Sequence, residues 1–251
     1  MPEHQPKKFT HSAVGPTEIA RSNCDQPIEL VGLNSALAKT RALLISGHRG
    51  GMRPAEDVIP AVLTKLANSH TQSVALAAIE NVNPDGRFSS RHHNLDGLQI
   101  DADHHDLAAI ETQALHRAID SWKTNLVIDL AQNVGPSEGP DQVHVVVRFR
   151  PNADKQPSPA LLSLATRIRS HLDAYDYSYR VSLIGALPGS LTQEHYVPVI
   201  EITALKPAGM RVMNAMIEAT VAAHTAADEG IETTAPTTAP GTQPAPSPIH
   251  A

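Results

Sequence analysis

The sequence predicts an α/β domain, because apolar strand-like runs alternate along the chain with amphipathic helical patterns. Runs typical of buried strands cover residues 41–48, 73–80 and 125–130, and helical patterns cover 54–66 and 106–122. In the second helical pattern, apolar side chains recur at helical spacing at Leu107, Ile110, Ala114, Leu115 and Ile119. A chain of 251 residues with 41% hydrophobic content can bury one full core. One sizeable domain is therefore expected.

The remaining elements follow in order, and Thr, Ala, Pro and Gly predominate in the last 25 residues or so. The helix at 54–66 can begin at Pro54, and Pro60 either interrupts it or marks its true start. We predict a flexible lead over residues 1–15, a folded domain over 16–226 and a disordered tail over 227–251. Further strands are expected at 28–33, 141–149, 177–184 and 197–203, and further helices at 159–174 and 207–226.

Charge and composition argue against several classes of partner. The net charge is −6 and the pI is near 6.1, which disfavours binding to a phosphate backbone, and no glycine-rich phosphate loop is present. Cys24 is the only cysteine, so an intrachain disulfide cannot form. No apolar run approaches about 18 residues, and the N-terminus lacks a signal-peptide pattern. We expect a soluble cytoplasmic protein with no nucleic-acid or membrane partner.

A long polar loop over residues 81–106 follows the buried strand at 73–80. Asn83-Pro84-Asp85-Gly86 is a strong turn signal within it, and loops that leave the end of a buried strand often carry function. Asn-Val-Asn-Pro-Asp-Gly-Arg over 81–87, followed by Asn-x-x-Gly-(apolar)-x-x-Asp over 94–101, resembles the substrate loop of zinc carboxypeptidases and related zinc amidohydrolases.

That resemblance implies a mixed, mostly eight-stranded sheet with helices on both faces. It also implies a zinc-dependent metallocarboxypeptidase-like hydrolase that cleaves a peptide or amide bond in a peptide or acyl-amino-acid substrate. The zinc ligands His-x-x-Glu of the family begin at His48, but the third residue after it is Gly51 and the first glutamate is Glu56. Either the turn is longer and Glu56 binds the metal, or Glu56 only stabilises a helix N-terminus.

The third zinc ligand of the family, a histidine after Asp-Leu, falls on Ala131, which has no lone pair to offer. The resemblance places the general base at Glu201, and a carboxylate within an apolar strand needs a partner or a chemical role unless it faces outward. It places the oxyanion-stabilising arginine at Arg91. Asn83, Asp85 and Tyr196 are expected at the substrate. Tyr196 belongs to a loop resembling the family's flap, which carries a tyrosine over the substrate, and either Tyr196 or His195 lies near that place.

Two other departures bear on specificity and metal binding. The Asn-Arg pair that holds the substrate's terminal carboxylate in the family falls on Asp101 and Ala102, which removes the attraction for a free C-terminus. Residues 101–106 are rich in carboxylates and imidazoles, so Asp103, His104 and His105 either rebuild a metal site or belong to a solvated loop. Structural or surface roles are expected for four other histidines: His92, His93, His116 and His144.

Two functional hypotheses follow from these residues. The first is a divergent zinc hydrolase in which His48 and Glu56 hold the metal with a nonstandard third ligand and Glu201 activates the metal-bound water. The second is a catalytically inactive pseudoenzyme of the same fold that acts as a binding or scaffolding protein. On chemistry alone, the changes at Gly51, Ala102 and Ala131 favour the second.

Overall fold

The computed structural model describes residues 12–34, 38–48, 55–68, 74–132, 142–151, 156–186, 190–195, 197–204 and 209–229. Eight strands form one sheet in this part of the chain. They are β1 (Ser12–Arg21), β2 (Pro27–Asn34), β3 (Thr40–Ser46), β4 (Val74–Ile79), β5 (Leu126–Gln132), β6 (Val143–Phe149), β7 (Tyr179–Gly185) and β8 (Val199–Ala204).

The described residues also form six α-helices and a short 3-10 helix at Ile100–Ala102. They are α1 (Ala55–Ala67), α2 (Pro84–Phe88), α3 (Ile110–Trp122), α4 (Pro159–Leu172), α5 (Leu191–His195) and α6 (Met210–Asp228). None of the described helices is long and apolar enough to cross a membrane.

The strand order across the sheet is β1-β2-β4-β3-β5-β8-β6-β7. The four central strands β4, β3, β5 and β8 run parallel, whereas β1, β2 and β6 pair antiparallel with their inner neighbours. The carboxyl ends of β3, β5 and β8 therefore meet at one edge, where α/β proteins commonly place their ligands. The predicted mixed eight-stranded sheet is confirmed.

Apolar clusters cover both faces of the sheet. On one face, α1, α4 and α6 pack over side chains such as Leu44, Ile128 and Val145, all fully buried. On the other face, α3 packs against β1, β2 and β3, with Leu115 in the second cluster. On β6 the side chains of this second face are half-buried, and they alternate with the buried side chains of the first face. A cleft can form beside α3 for that reason.

Several predicted boundaries differ from the structure. Residues 12–15 were expected in the flexible lead, but β1 begins at Ser12 and pairs with β2. Its pattern is obscured because Pro16 lies at an irregularity between Val14 and Thr17, and proline is tolerated at such places in an edge strand. The predicted tail begins too early, since α6 continues to Asp228. Pro60 lies inside α1. Residues 1–11 and 230–251 lie outside the described residues.

Candidate functional site

A cleft of about 380 Å³ opens at the edge of the sheet where β3, β5 and β8 end. It lies on the same face of the sheet as α3. Its polar and charged lining residues come from the three strand ends, from β6, from the 3-10 helix region and from the segment around α5. They are His48, Asp101, His104, Asp129, Arg148, Ser190, Thr192, Glu201 and Thr203.

His48 reaches the cleft because the chain turns sharply after β3. Gly47 has a φ of +78°, and a Cβ there would lie 2.8 Å from Oδ1 of Asn81. Only glycine adopts this conformation at low cost in so little space. His48 is 8% exposed, and its Nδ1 lies 3.2 Å from Oδ1 of Asp129 on β5. The strand-like run over residues 41–48 thus corresponds to β3 and the turn after it, which brings His48 to the cleft.

Strand register brings the acidic residues of the cleft together. Ile45 on β3, Asp129 on β5 and Glu201 on β8 occupy one row across the parallel strands, and Val146 on β6 continues that row. Neighbours in such a row project to the same face of the sheet. Asp129 and Glu201 thus stand side by side on the cleft face, while the flanking Ile128 and Ile200 point into the opposite core.

Glu201 forms a two-point ion pair with Arg148. Nε of Arg148 donates to Oε1 of Glu201 at 2.8 Å, and one Nη donates to Oε2 at 3.0 Å. Arg148 lies opposite Val199 on the antiparallel strand, one diagonal step from Glu201 on the same face. About a quarter of the Arg148 side chain and about a third of the Glu201 side chain are exposed. Both oxygens of the predicted general base are therefore engaged by a cation.

The Asn83–Asp85 turn supports the cleft from behind and does not line it. The Asn83 side chain donates to the carbonyl of His48 at 3.2 Å and caps α2 by accepting from the Gly86 amide at 2.8 Å. Asp85, 2% exposed, accepts from the Ser22 hydroxyl and from the Cys24 amide. These contacts hold the loop against the β1–β2 turn. Both residues were predicted at the substrate, and in this structure their side chains serve the scaffold.

Other predicted site residues are distributed as follows. Arg91 is exposed, and it is not among the residues that line the cleft. Ala131 lines the cleft on β5, at the place the resemblance assigns to a histidine. Glu56 belongs to the first turn of α1, but its side chain lies outside the described part of the structure, as does the whole of Tyr196.

The histidine- and acid-rich loop divides between structural and cleft roles. Asp103 accepts from the amides of Ala108 and Ala109 at 3.1 and 2.7 Å, so it organises the entry into α3. His104 is 5% exposed and lines the cleft, whereas His105 is exposed, with Nδ1 3.4 Å from Oε1 of Glu194.

Structural or surface roles were expected for His92, His93, His116 and His144, and three of these four lie away from the cleft. His92 is exposed, Nε2 of His93 lies near Gln99, and Nε2 of His144 lies 2.9 Å from Oε1 of Gln142. His116 differs from these, because it lies within a chain of histidines beside the cleft.

Three imidazoles form a continuous chain from the cleft toward the surface. Nδ1 of His104 lies 3.3 Å from Nε2 of His116, and Nδ1 of His116 lies 2.8 Å from Nε2 of His195. Nδ1 of His195 is 3.5 Å from Oδ1 of Asp120, an exposed residue of α3. At the cleft end, the His104 ring meets that of His48 edge-on, with 6.2 Å between ring centroids.

Burial keeps the imidazoles of His104, His116 and His195 neutral. It is the largest cause that lowers the pKa of His104 to about 3, assisted by the neighbouring His48 and His116. It likewise lowers the pKa of His116 to about 4, with His195 as the next cause, and it lowers the pKa of His195. Neutral imidazoles each have one donor and one acceptor nitrogen, which is what a chain of this kind requires.

Sequence reasoning did not identify Arg148 or the histidine chain. Arg148 occupies the polar phase of an alternating strand, which indicates only that it faces away from the buried core. Its pairing with Glu201 depends on the register of strands 53 residues apart. The three histidines of the other feature come from a loop, from α3 and from α5. Their spacing in the sequence does not indicate that their side chains are in contact. No signal in the sequence would have found either feature.

Of the comparisons with known proteins, the one with solved structures identifies the fold. No family model matches the chain, and no curated protein matches it. Among solved structures, a metallo-carboxypeptidase from Burkholderia cenocepacia matches with a TM-score of 0.65 and 15% identity over 88% of this chain. A Pseudomonas aeruginosa metallo-carboxypeptidase, solved with (2-guanidinoethylmercapto)succinic acid, gives 0.65 and 16% over 86%. Carboxypeptidase A from Helicoverpa armigera gives 0.64 and 12% over 89%.

This chain has a metallocarboxypeptidase-like α/β fold. It spans 65% of the length of each of the two bacterial enzymes and 70% of the length of the insect enzyme. At these identities the similarity establishes the fold, and the chemistry of the cleft has to be judged from its own residues.

The described donor side chains of the cleft are not arranged as a zinc site. Among the described residues, no group of three or more His, Cys, Asp or Glu side chains is placed to hold a metal. Nδ1 of His48 faces Asp129, and both oxygens of Glu201 bind Arg148. Ala131 supplies no donor at all. A structural or catalytic zinc site needs three or four protein ligands converging on one point, and the described side chains do not converge in that way.

Proposed function

We propose that this protein is a non-catalytic relative, by fold, of the metallocarboxypeptidases and that its cleft binds a peptide or an acyl-amino-acid compound without hydrolysing it. One observation carries this proposal: the two-point ion pair between Arg148 and Glu201. The carboxylate at the position expected for a general base is committed to a neighbouring cation within the fold.

The energetics of this pair oppose general-base catalysis. A base has to take a proton from water, and Glu201 would first have to release hydrogen bonds to a guanidinium. Hydrogen bonds to charged groups contribute roughly 1.5–3 kcal/mol each. Glu201 therefore suits the structure of the cleft better than it suits water activation.

The cleft is nevertheless suitable for ligand binding. Its volume falls within the range of about 300–1,000 Å³ that is common for small-molecule sites. Apolar residues, including Leu191 and Val199, line it together with Thr192 and Thr203. Such a mixture can bury an apolar side chain of a ligand while hydrogen-bonding its amide group. This supports a peptide-like or acyl-amino-acid ligand.

The divergent zinc hydrolase is the second candidate. It is favoured by the position of His48, which lines the same cleft as Glu201 while α1, with Glu56 in its first turn, follows it in the chain. In that case His48 and Glu56 would be the metal ligands, Glu201 the base and Arg91 the oxyanion-stabilising residue. Tyr196 would lie at the substrate, while Asn83 and Asp85 would act indirectly, by holding the loop beside His48 and against the β1–β2 turn.

Metal content separates the two candidates. The purified protein is loaded with zinc, desalted and analysed for metal beside His48→Ala. The binding-protein proposal predicts that both retain only trace zinc and that Arg148→Met, which frees Glu201, does not restore it. Stoichiometric zinc in the wild type that is lost in His48→Ala would overturn the proposal in favour of the hydrolase.

A further inference from the structure

Helix α5 forms one wall of the cleft, because Leu191 and Thr192 both line it. Polar contacts join this helix to α3 and to the loop before α3, and each of them includes a histidine. His195 contacts His116 and lies 3.5 Å from Asp120, while Glu194 lies 3.4 Å from His105. The position of this wall is therefore linked to the protonation of imidazoles.

The geometry of His116 shows that its contact with His195 is a hydrogen bond and not part of a metal site. Its Nδ1 faces His195 and its Nε2 faces His104, so the two contacts use opposite sides of one ring. One metal ion cannot bind both nitrogens of the same imidazole ring. Because His104 and His195 face different nitrogens of His116, the three histidines in this arrangement cannot share one metal ion. At 2.8 Å, the contact between His116 and His195 is a hydrogen bond that exists only while at least one of the two facing nitrogens keeps its lone pair.

We propose that the His116–His195 contact is an acid-sensitive latch that holds α5 against α3 and thereby keeps one wall of the cleft in place. When both rings are protonated on both nitrogens, two cations face each other across the former hydrogen bond and neither can accept. The contact then becomes repulsive, and release of α5 exposes both rings to water.

All the charged groups that face the latch bear on this response. Asp103, Asp120 and Glu194 surround His116, and Asp120 and Glu194 also face His195, so these carboxylates favour protonation. Burial opposes it and is the larger effect for both rings. His104 is the remaining neighbour of His116, and the latch does not require it to change its protonation state. The closed helix thus binds protons less readily than the released helix.

The sign of the pH dependence follows from this difference. A released histidine regains its ordinary pKa near 6.5, whereas the pKa of the latched His116 is about 4. Opening is therefore favoured as the pH falls below 6.5, and the effect grows until the pH reaches the value of the latched ring. Between pH 7 and pH 5 the opening equilibrium should increase on the order of tenfold for each histidine released.

Hydrogen exchange measured by mass spectrometry tests the latch on the full chain. Protection factors, which are corrected for the intrinsic rate at each pH, are compared for the α5 peptide and for β5 as an internal reference. In the wild type, protection of α5 should fall at least tenfold between pH 7 and pH 5 while protection of β5 is unchanged. No selective loss in α5 would overturn the proposal.

Two variants identify the groups responsible. The double variant His116→Gln with His195→Gln can keep a hydrogen bond but does not titrate in this range, so its α5 protection should not change with pH. The matched variant His144→Gln removes a half-buried histidine of β6 that does not contact α5, and it should behave as the wild type. Equal pH responses in the double variant and the wild type would contradict the latch.

If the double variant does not fold, nitrogen-15 NMR of the wild-type protein tests the latch without any substitution. Nitrogen-15 spectra of the imidazole groups in the wild type should show His116 and His195 as neutral tautomers at pH 6.5, becoming protonated as α5 loses protection. Titration of both rings without any loss of protection would overturn the latch. Since no ligand is present in these experiments, their failure would leave the proposed binding function untouched, and the reverse also holds.

Discussion

At the scale of single residues, Arg148 and Glu201 define what the cleft can do. The register of β6 and β8 places a guanidinium one diagonal step from the carboxylate, and both oxygens accept from it. With each side chain about one third exposed or less, the pair is only partly solvated. Removing one partner leaves an uncompensated charge in the cleft, which is costly.

The variant Arg148→Met tests this pair. We expect the free energy of unfolding to fall by about 1–3 kcal/mol, because Glu201 loses two hydrogen bonds from a charged donor. Urea denaturation monitored by circular dichroism measures the change. The double variant Arg148→Met with Glu201→Leu should recover part of the loss, since no charge is left unpaired. A single variant as stable as the wild type would show that the pair contributes little.

Gly47 is the second residue on which the site depends. Gly47→Ala should lower stability by more than the cost of a left-handed alanine, about 1–2 kcal/mol, because the new methyl group would also meet Asn81. Gly97→Ala is a matched control: its φ is +81°, and a Cβ there meets nothing within 4 Å. Equal losses in urea denaturation of the two variants would exclude a steric contribution at Gly47.

At the scale of elements, the first part of the loop between β4 and α3, around Asp85, belongs to the scaffold, whereas Asp101 and His104 further along it line the cleft. Asp85→Ala removes the acceptor for Ser22 and for the Cys24 amide, and it should cost about 1–3 kcal/mol because a buried donor is left unsatisfied. Thermal denaturation measures this loss. Asp106→Ala, an exposed change in the same loop, should have little effect. Comparable losses for both variants would contradict the scaffold role.

The histidines between α3 and α5 make stability depend on pH. The pKa of His116 is lower in the folded chain, about 4, than in an unfolded chain, so unfolding takes up protons. Its contribution is fully present above pH 6.5 and is lost progressively as the pH falls toward 4. Thermal midpoints across this range should decline less steeply in His116→Gln than in wild type, and His92→Gln, an exposed change, should leave the slope unaltered.

At the scale of the whole molecule, local patterns were sufficient for the sheet and insufficient for the cleft. β3, β4 and β5 were predictable because central parallel strands are continuous apolar runs. The start of β1 was not, because Gly15 and Pro16 interrupt its pattern. Neither the Arg148–Glu201 pair nor the His104–His116–His195 chain was predictable, since both depend on register and packing between distant segments.

The resemblance to zinc carboxypeptidases was likewise sufficient to predict the fold and insufficient to predict the contacts in the cleft. It predicted the fold, whereas the place of His48 at a strand end was predicted from the apolar run over residues 41–48. The fold can be retained while the ligands are lost, because core packing and cleft chemistry depend on different residues. Ala131 could be identified from the sequence as a missing ligand, whereas the commitment of Glu201 to Arg148 required the structure.

The central claim, binding without hydrolysis, is tested most directly by product analysis. The zinc-supplemented protein is incubated with a mixture of peptides and acyl-amino-acids, wild type beside Glu201→Gln, and both retained ligands and cleavage products are identified by mass spectrometry. The proposal predicts that both proteins retain a compound from the mixture and that neither forms product above the buffer control. Cleavage by the wild type that is lost in Glu201→Gln would contradict it and identify Glu201 as a working base.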